Sequence, residues 1–67
     1  MQPTYETGDL IRVREQNRIE GINGIYLVLD FYKPELMGNL YKLMNVKSGA
    51  VVDFREVTVN TYFHKVA

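Results

Sequence analysis

The chain has no cysteine and no tryptophan, two prolines, one serine (Ser48) and one histidine (His64). Without cysteine, disulfides and thiolate metal sites are excluded, and with them the usual supports of very small domains. The same absence suits a reducing compartment. Charge of one sign is also missing, because eight basic residues balance eight acidic ones. A dedicated nucleic-acid binder depends on a basic excess to neutralise phosphate, and that excess is not here. No apolar run approaches the roughly 20 residues of a membrane span. The opening Met1-Gln2-Pro3-Thr4-Tyr5-Glu6 lacks the charged and apolar regions of a signal peptide. These absences set the expectation of a cytoplasmic protein, or one that ends inside an assembly, with no cofactor and no membrane partner.

What the chain does have is a high apolar content, 46%, with 12% aromatics of which five are Tyr and three Phe. At 67 residues one domain, residues 1–67, is expected. So short a chain buries only about 60% of its unfolded surface, which sets stability on the order of a few kcal/mol. Aliphatic and aromatic packing must supply it.

Glycine and proline punctuate the sequence. Residues 1–8 read as an extended lead-in ending at Gly8. Asp9 to Arg14 reads as a strand with one wet face. Glu15 to Gly24 reads as a long loop, with Asn23-Gly24 as a turn signal. Gly24 to Lys33 is an apolar stretch rich in Ile, Val, Tyr and Phe, broken only by Asp30, and predicts a buried strand. Pro34 to Asn39 connects it to a hairpin of Leu40 to Val46 and Ala50 to Arg55. Arg55 to Thr61 is expected to hold at most a 3₁₀ turn, and Tyr62 to Val66 a last strand. The fold class expected is all-β, a small five-stranded barrel.

With a loop of Lys47, Ser48 and Gly49, Val46 faces Ala50, Met44 faces Val52 and Lys42 faces Phe54. The opposite face then carries Tyr41, Leu43, Val51, Asp53 and Arg55. A one-residue slip exchanges the two faces. In this register the first set covers the core, and Tyr41, Leu43 and Val51 form an exposed apolar cluster rimmed by Asn45, Asp53 and Arg55. An apolar centre with a polar rim suits a protein-contact site. Tyr32, next to Lys33 near a strand end, joins Tyr41 as a surface aromatic, while Phe31, Phe54 and Phe63 are assigned to the core. The competing possibility is that the curvature of a barrel, or the N-terminal arm, covers this face.

Nucleophilic catalysis needs a nucleophile, a base and an orienting group. Ser48 sits in a turn beside Gly49, His64 follows Phe63 near the C-terminus, and no catalytic set emerges. One histidine is not a metal cluster, and Asp30, Glu35 and Asp53 lack calcium-loop spacing. Arg12, Arg14 and Arg18 form a local basic group that could bind nucleic acid with tyrosine stacking partners. Glu15 and Glu20 offset it, and the plainer reading is the wet face of the first strand.

The opening Gly8-Asp9-Leu10-Ile11-Arg12-Val13 resembles the first strand of SH3-like barrels of the KOW and Tudor-like kind. Gly21-x-x-Gly24 before an apolar strand is similar to the KOW pattern. Leu40-Tyr41-Lys42-Leu43-Met44 through Ser48-Gly49 to Val52-Asp53-Phe54 resembles their central hairpin. Across residues 8–66 the chain resembles short SH3-like proteins of tailed bacteriophages, including those of cyanobacteria. The resemblance implies a five-stranded SH3-like barrel and a phage-encoded, non-catalytic module that binds a host protein or packs into a virion. It departs from KOW modules in lacking their basic excess, and from peptide-binding SH3 domains in lacking their acidic-aromatic groove, so no ligand carries over.

Overall fold

Pleated, β-branched segments bounded by turns form a five-stranded antiparallel sheet in the computed structural model, which describes residues 4–14, 22, 24–36 and 38–66. The strands are β1 (Leu10–Val13), β2 (Ile25–Tyr32), β3 (Leu40–Asn45), β4 (Val51–Arg55) and β5 (Phe63–Lys65). One helix, α1 (Glu56–Tyr62), stands between β4 and β5. The order across the sheet is β4-β3-β2-β1-β5, so the last strand returns to pair with the first. The all-β expectation holds, with each strand within a residue or two of its sequence-based bounds.

Among the described residues no ladder joins β4 to β5. These two edges approach through side chains, with the rings of Phe54 and Phe63 5.9 Å apart. The core holds Ile11, Val28, Tyr41, Leu43, Val59 and Phe63, all fully buried, with Tyr5 and Tyr26 nearly so. Phe31 and Phe54 are half-buried and pack against it, in keeping with their assignment to the core. A bulge in β2 makes this possible. Val28 pairs with Leu43 but Asp30 pairs with Lys42, so Leu29 is an extra residue. The bulge reverses the in-out alternation, which sends Tyr26 and Val28 inward before it and Phe31 inward after it. Phe31 then meets Tyr41 at 4.7 Å between ring centroids.

Two expectations are corrected. The segment after β4 is an α-helix of 7 residues rather than a 3₁₀ turn. So short a helix does not stand on propensity. It is held by the burial of Val59 and by a clamp at its start, where Glu56 N–H donates to the Asn39 carbonyl (2.9 Å) and Asn39 Nδ2 donates to Glu56 Oε1 (3.0 Å).

The second correction is the hairpin register. Tyr41 pairs with Phe54, Lys42 with Asp53, Leu43 with Val52 and Met44 with Val51. The loop therefore runs from Val46 to Gly49, one residue longer than expected. Gly49 is left-handed (φ 78) as anticipated, but the turn begins earlier because of Asn45. Its side-chain oxygen accepts the amides of Lys47 (2.9 Å) and Ser48 (3.0 Å), and its main-chain oxygen accepts Gly49 N–H (2.7 Å). An asparagine holding the amides two and three residues on starts a turn, and this local chemistry outweighs the apolar character of Val46. The slip exchanges the two faces of β3, while Val52 and Phe54 stay on the core side of β4. Tyr41 and Leu43, expected on the surface, are fully buried. Val46, Ala50 and Val52, expected in the core, are exposed, and Met44 is only half-buried.

Candidate functional site

Three β2–β3–β4 rows line the face of the sheet turned away from the core. Leu27, Met44 and Val51 form an apolar row. Asp30, Lys42 and Asp53 form a charged row, and Tyr32, Leu40 and Arg55 a mixed one in which Leu40 is buried beneath its neighbours. Of the residues expected to bind protein, Tyr32, Val51, Asp53 and Arg55 are brought together here. Tyr41 and Leu43 are not, because they point to the core from the alternate positions of β3.

The middle of this face is electrostatically knit. Lys42 Nζ lies 5.6 Å from the centre of the Tyr32 ring, a cation–π approach. Partial burial raises the Tyr32 phenol above its ordinary value of 10.0, and a hydrogen bond to the Asp53 carboxylate with the charges of Asp53 and Asp30 raises it further. No local pattern marks Lys42 and Asp30 as members of this group, because their placement depends on the bulge at Leu29 and on the hairpin register.

The two edges of the sheet differ in their backbone. On β5, Arg14 N–H donates to the Tyr62 carbonyl (2.8 Å) and Val66 N–H to that of Leu10 (2.7 Å). Even-numbered residues therefore bond inward to β1, and Phe63 and Lys65 turn their groups outward. The outward carbonyl of Phe63 is capped twice, by the Tyr5 hydroxyl (3.0 Å) and by Arg14 Nε (3.3 Å). The Lys65 ammonium is tied to the Asp9 carboxylate at 3.5 Å, while among the described residues its main-chain groups carry no hydrogen bond. Tyr5 is itself fixed in the core, its amide donating to the Tyr41 hydroxyl at 3.1 Å with the rings 6.1 Å apart. Tyr5 to Asp9 thus fold back over the sheet as a strap, with Tyr5 covering Tyr41.

On β4 the ladder is anchored by Asn45 N–H to Ala50 (2.8 Å) and Glu56 N–H to Asn39 (2.9 Å). Val52 and Phe54 therefore bond inward to β3, and the amides of Val51, Asp53 and Arg55 point outward. Among the described residues none of these three amides is hydrogen-bonded. Val51 is 52% exposed and Val52 36%. This is an edge with both polar backbone and apolar side chains open to solvent.

The basic group resolves differently. Arg12 is exposed opposite His64 on β5. Arg14 is engaged with the Phe63 carbonyl. Arg18 lies outside the described residues. Ser48 occupies the hairpin loop at one edge of the sheet, its hydroxyl accepting Ala50 N–H at 3.2 Å, and His64 lies on β5 at the other. Asp30, Glu35 and Asp53 do not converge into a group of three, nor do any other His, Cys, Asp or Glu among the described residues. No helix among them is long and apolar enough to cross a membrane.

Compared with known proteins, the chain matches no family model, no curated protein and no solved structure.

Proposed function

We propose that this chain is a non-catalytic protein-interaction module of SH3-like build that docks through the β4 edge and the adjoining outer face of β2 to β4. The observation that carries this reading is the contrast in finish between the edges. A strand edge left with free amides and exposed valines is a template for another chain, and natural sheets normally cover or blunt it. Val51, Asp53 and Arg55 lie on that edge and Tyr32 on the adjoining outer face of β2, with an apolar row next to a charged one. The strand order, with a short helix before a last strand that returns to β1, suits the SH3-like resemblance. The likeness to short phage proteins supports a host protein or a virion component as the partner, met in the host cytoplasm. The nucleic-acid alternative through Arg12, Arg14 and Arg18 is weaker, because Arg14 is already engaged within the fold and the net charge is zero.

The test is capture from nuclease-treated lysate of the native host cells, with wild type beside Val51→Lys. Val51 is exposed, so the substitution leaves stability within about 0.5 kcal/mol. A protein retained by wild type and lost with Val51→Lys supports the reading. Retention that disappears on nuclease treatment, or is unchanged in the variant, overturns it.

A further inference from the structure

The bare edge of β4 has a chemistry that selects its occupant. Its residues alternate between two sides. Val52 and Phe54 lie on the core side, and Phe54 is only half-buried, so an added strand would cover apolar surface there. Val51, Asp53 and Arg55 lie on the outer side. A strand paired with this edge puts one residue opposite Asp53 and its two neighbours opposite Val52 and Phe54.

A second copy of β4 is the nearest candidate for that place, and it fits badly. Antiparallel self-pairing over the full strand sets Val52 against Phe54, which is favourable. It also sets Asp53 against its own image at the centre. Like charges directly opposite each other destabilise a strand pair. Outward-pointing residues must pair with outward-pointing residues, so the next registers are two residues away. One of these takes Arg55 past the end of the strand, and the other runs the copy into α1. Charge thus opposes the full-length self-pairing, shortened overlap opposes the shifted ones, and Asp53 favours a cation on a partner strand.

We propose, resting on the docking role of β4 inferred above, that the β4 edge takes up an extended segment of its partner as an additional strand, with a lysine or arginine opposite Asp53 between apolar residues opposite Val52 and Phe54. The amides of Val51, Asp53 and Arg55 supply its donors. Arg55 is the N-cap of α1, so its carbonyl serves the helix and its N–H alone serves the edge. This is recognition by strand addition, with backbone bonds giving affinity and alternate side chains giving selection.

The probe is a fluorescent capped peptide with the core Thr-Val-Lys-Val-Thr, which reads the same in either strand direction, beside its Lys→Glu twin. Binding is followed by anisotropy, and the protein alone by sedimentation velocity. Wild type should prefer the lysine peptide by about tenfold, the effect of exchanging an unlike cross-strand pair for a like one. Asp53→Lys should invert the preference. Arg55→Pro, which deletes an outward amide at a residue already at φ −65, should weaken both peptides while circular dichroism stays unchanged. Equal binding of the two peptides, no binding of either up to millimolar protein, or full binding by Arg55→Pro overturns the proposal. Dimeric wild type also overturns it, by making a second copy the occupant. If the peptides fail while lysate capture still depends on Val51, strand addition is wrong and the docking role of the surface stands.

Discussion

The β5 edge and the β4 edge belong to one sheet, yet at one the chain covers its own backbone at Phe63, and at the other all three outward amides are left open among the described residues. At β5 the outward carbonyl of Phe63 receives two donors, and Lys65 is paired with Asp9. Tyr5, Arg14 and Asp9, which do this, flank β1. At β4 the protections among the described residues are a short strand and the charges of Asp53 and Arg55. Covering and charging are both known ways of blunting an edge, but only covering satisfies the backbone. The difference locates stability on the β5 side and availability on the β4 side.

The sharpest way to break this comparison is to cut the packing on each side. Phe63 is fully buried against Tyr26 at 6.0 Å and Phe54 at 5.9 Å. Phe63→Ala should cost about 3–5 kcal/mol and leave so small a domain largely unfolded. Val52→Ala, on the open edge, should cost less than about 1 kcal/mol. Urea midpoints of the two variants measure the gap. Similar losses would mean that β4 is as deeply built into the core as β5.

The next largest effect lies in the strap. Tyr5→Phe keeps the ring packed and removes the hydroxyl from the Phe63 carbonyl, so it should cost about 1 kcal/mol. It also bears on pH. Burial raises the phenols of Tyr5 and Tyr41 above 10.0; Arg14 pulls Tyr5 back and Asp9 raises it, while main-chain donors from Tyr5 and Thr4 pull Tyr41 back. A raised phenol favours the protonated form in the fold. Its contribution is fully present below the unfolded value of 10.0 and is lost as pH rises through the folded values. Stability should therefore be level near neutrality and fall above about pH 10, less steeply in Tyr5→Phe than in wild type. An identical alkaline slope in the two proteins would show that the Tyr5 phenol does not titrate with folding.

These features were unequally legible in the sequence. Strand placement followed from alternation and turn residues, and each strand stands where it was expected. The core aromatics Phe31, Phe54 and Phe63 were also readable. The face of the hairpin was not, because it rests on a choice of one residue in loop length. That choice was decided by the Asn45 side chain, whereas apolar patterning favoured keeping Val46 in the strand. The exchange of faces in β3 moved Tyr41 and Leu43 to the core and left Val51, Asp53 and Arg55 on the outer face at the sheet's edge. The strap was hidden for a different reason. A tyrosine bonding a carbonyl at the far end of the chain, Tyr5 to Phe63, leaves no local pattern.

The smallest effect gives the finest test of the open edge. Proline within a paired strand removes a ladder bond and is strongly destabilising, whereas at an outward-facing edge position it removes nothing the fold uses. Arg55 meets each condition for tolerating it. Its φ is −65, the angle the pyrrolidine ring imposes. Phe54 before it is in a strand, the conformation that a following proline favours. Its side chain makes no capping hydrogen bond to α1, and its amide points away from β3. Proline also narrows the unfolded ensemble. The charged stem lies beside Leu40 across the strand pair, and its loss works mildly the other way. Arg55→Pro should therefore change stability by less than about 1 kcal/mol in either direction. In the wild-type protein the amides of Val51, Asp53 and Arg55 should exchange with deuterium much faster than those of Val52 and Phe54, as the alternation of outward and inward bonding requires. A loss of about 3 kcal/mol in Arg55→Pro, or slow exchange at all five amides, would mean that the outer side of β4 is already bonded and that the two edges of the sheet are closed alike.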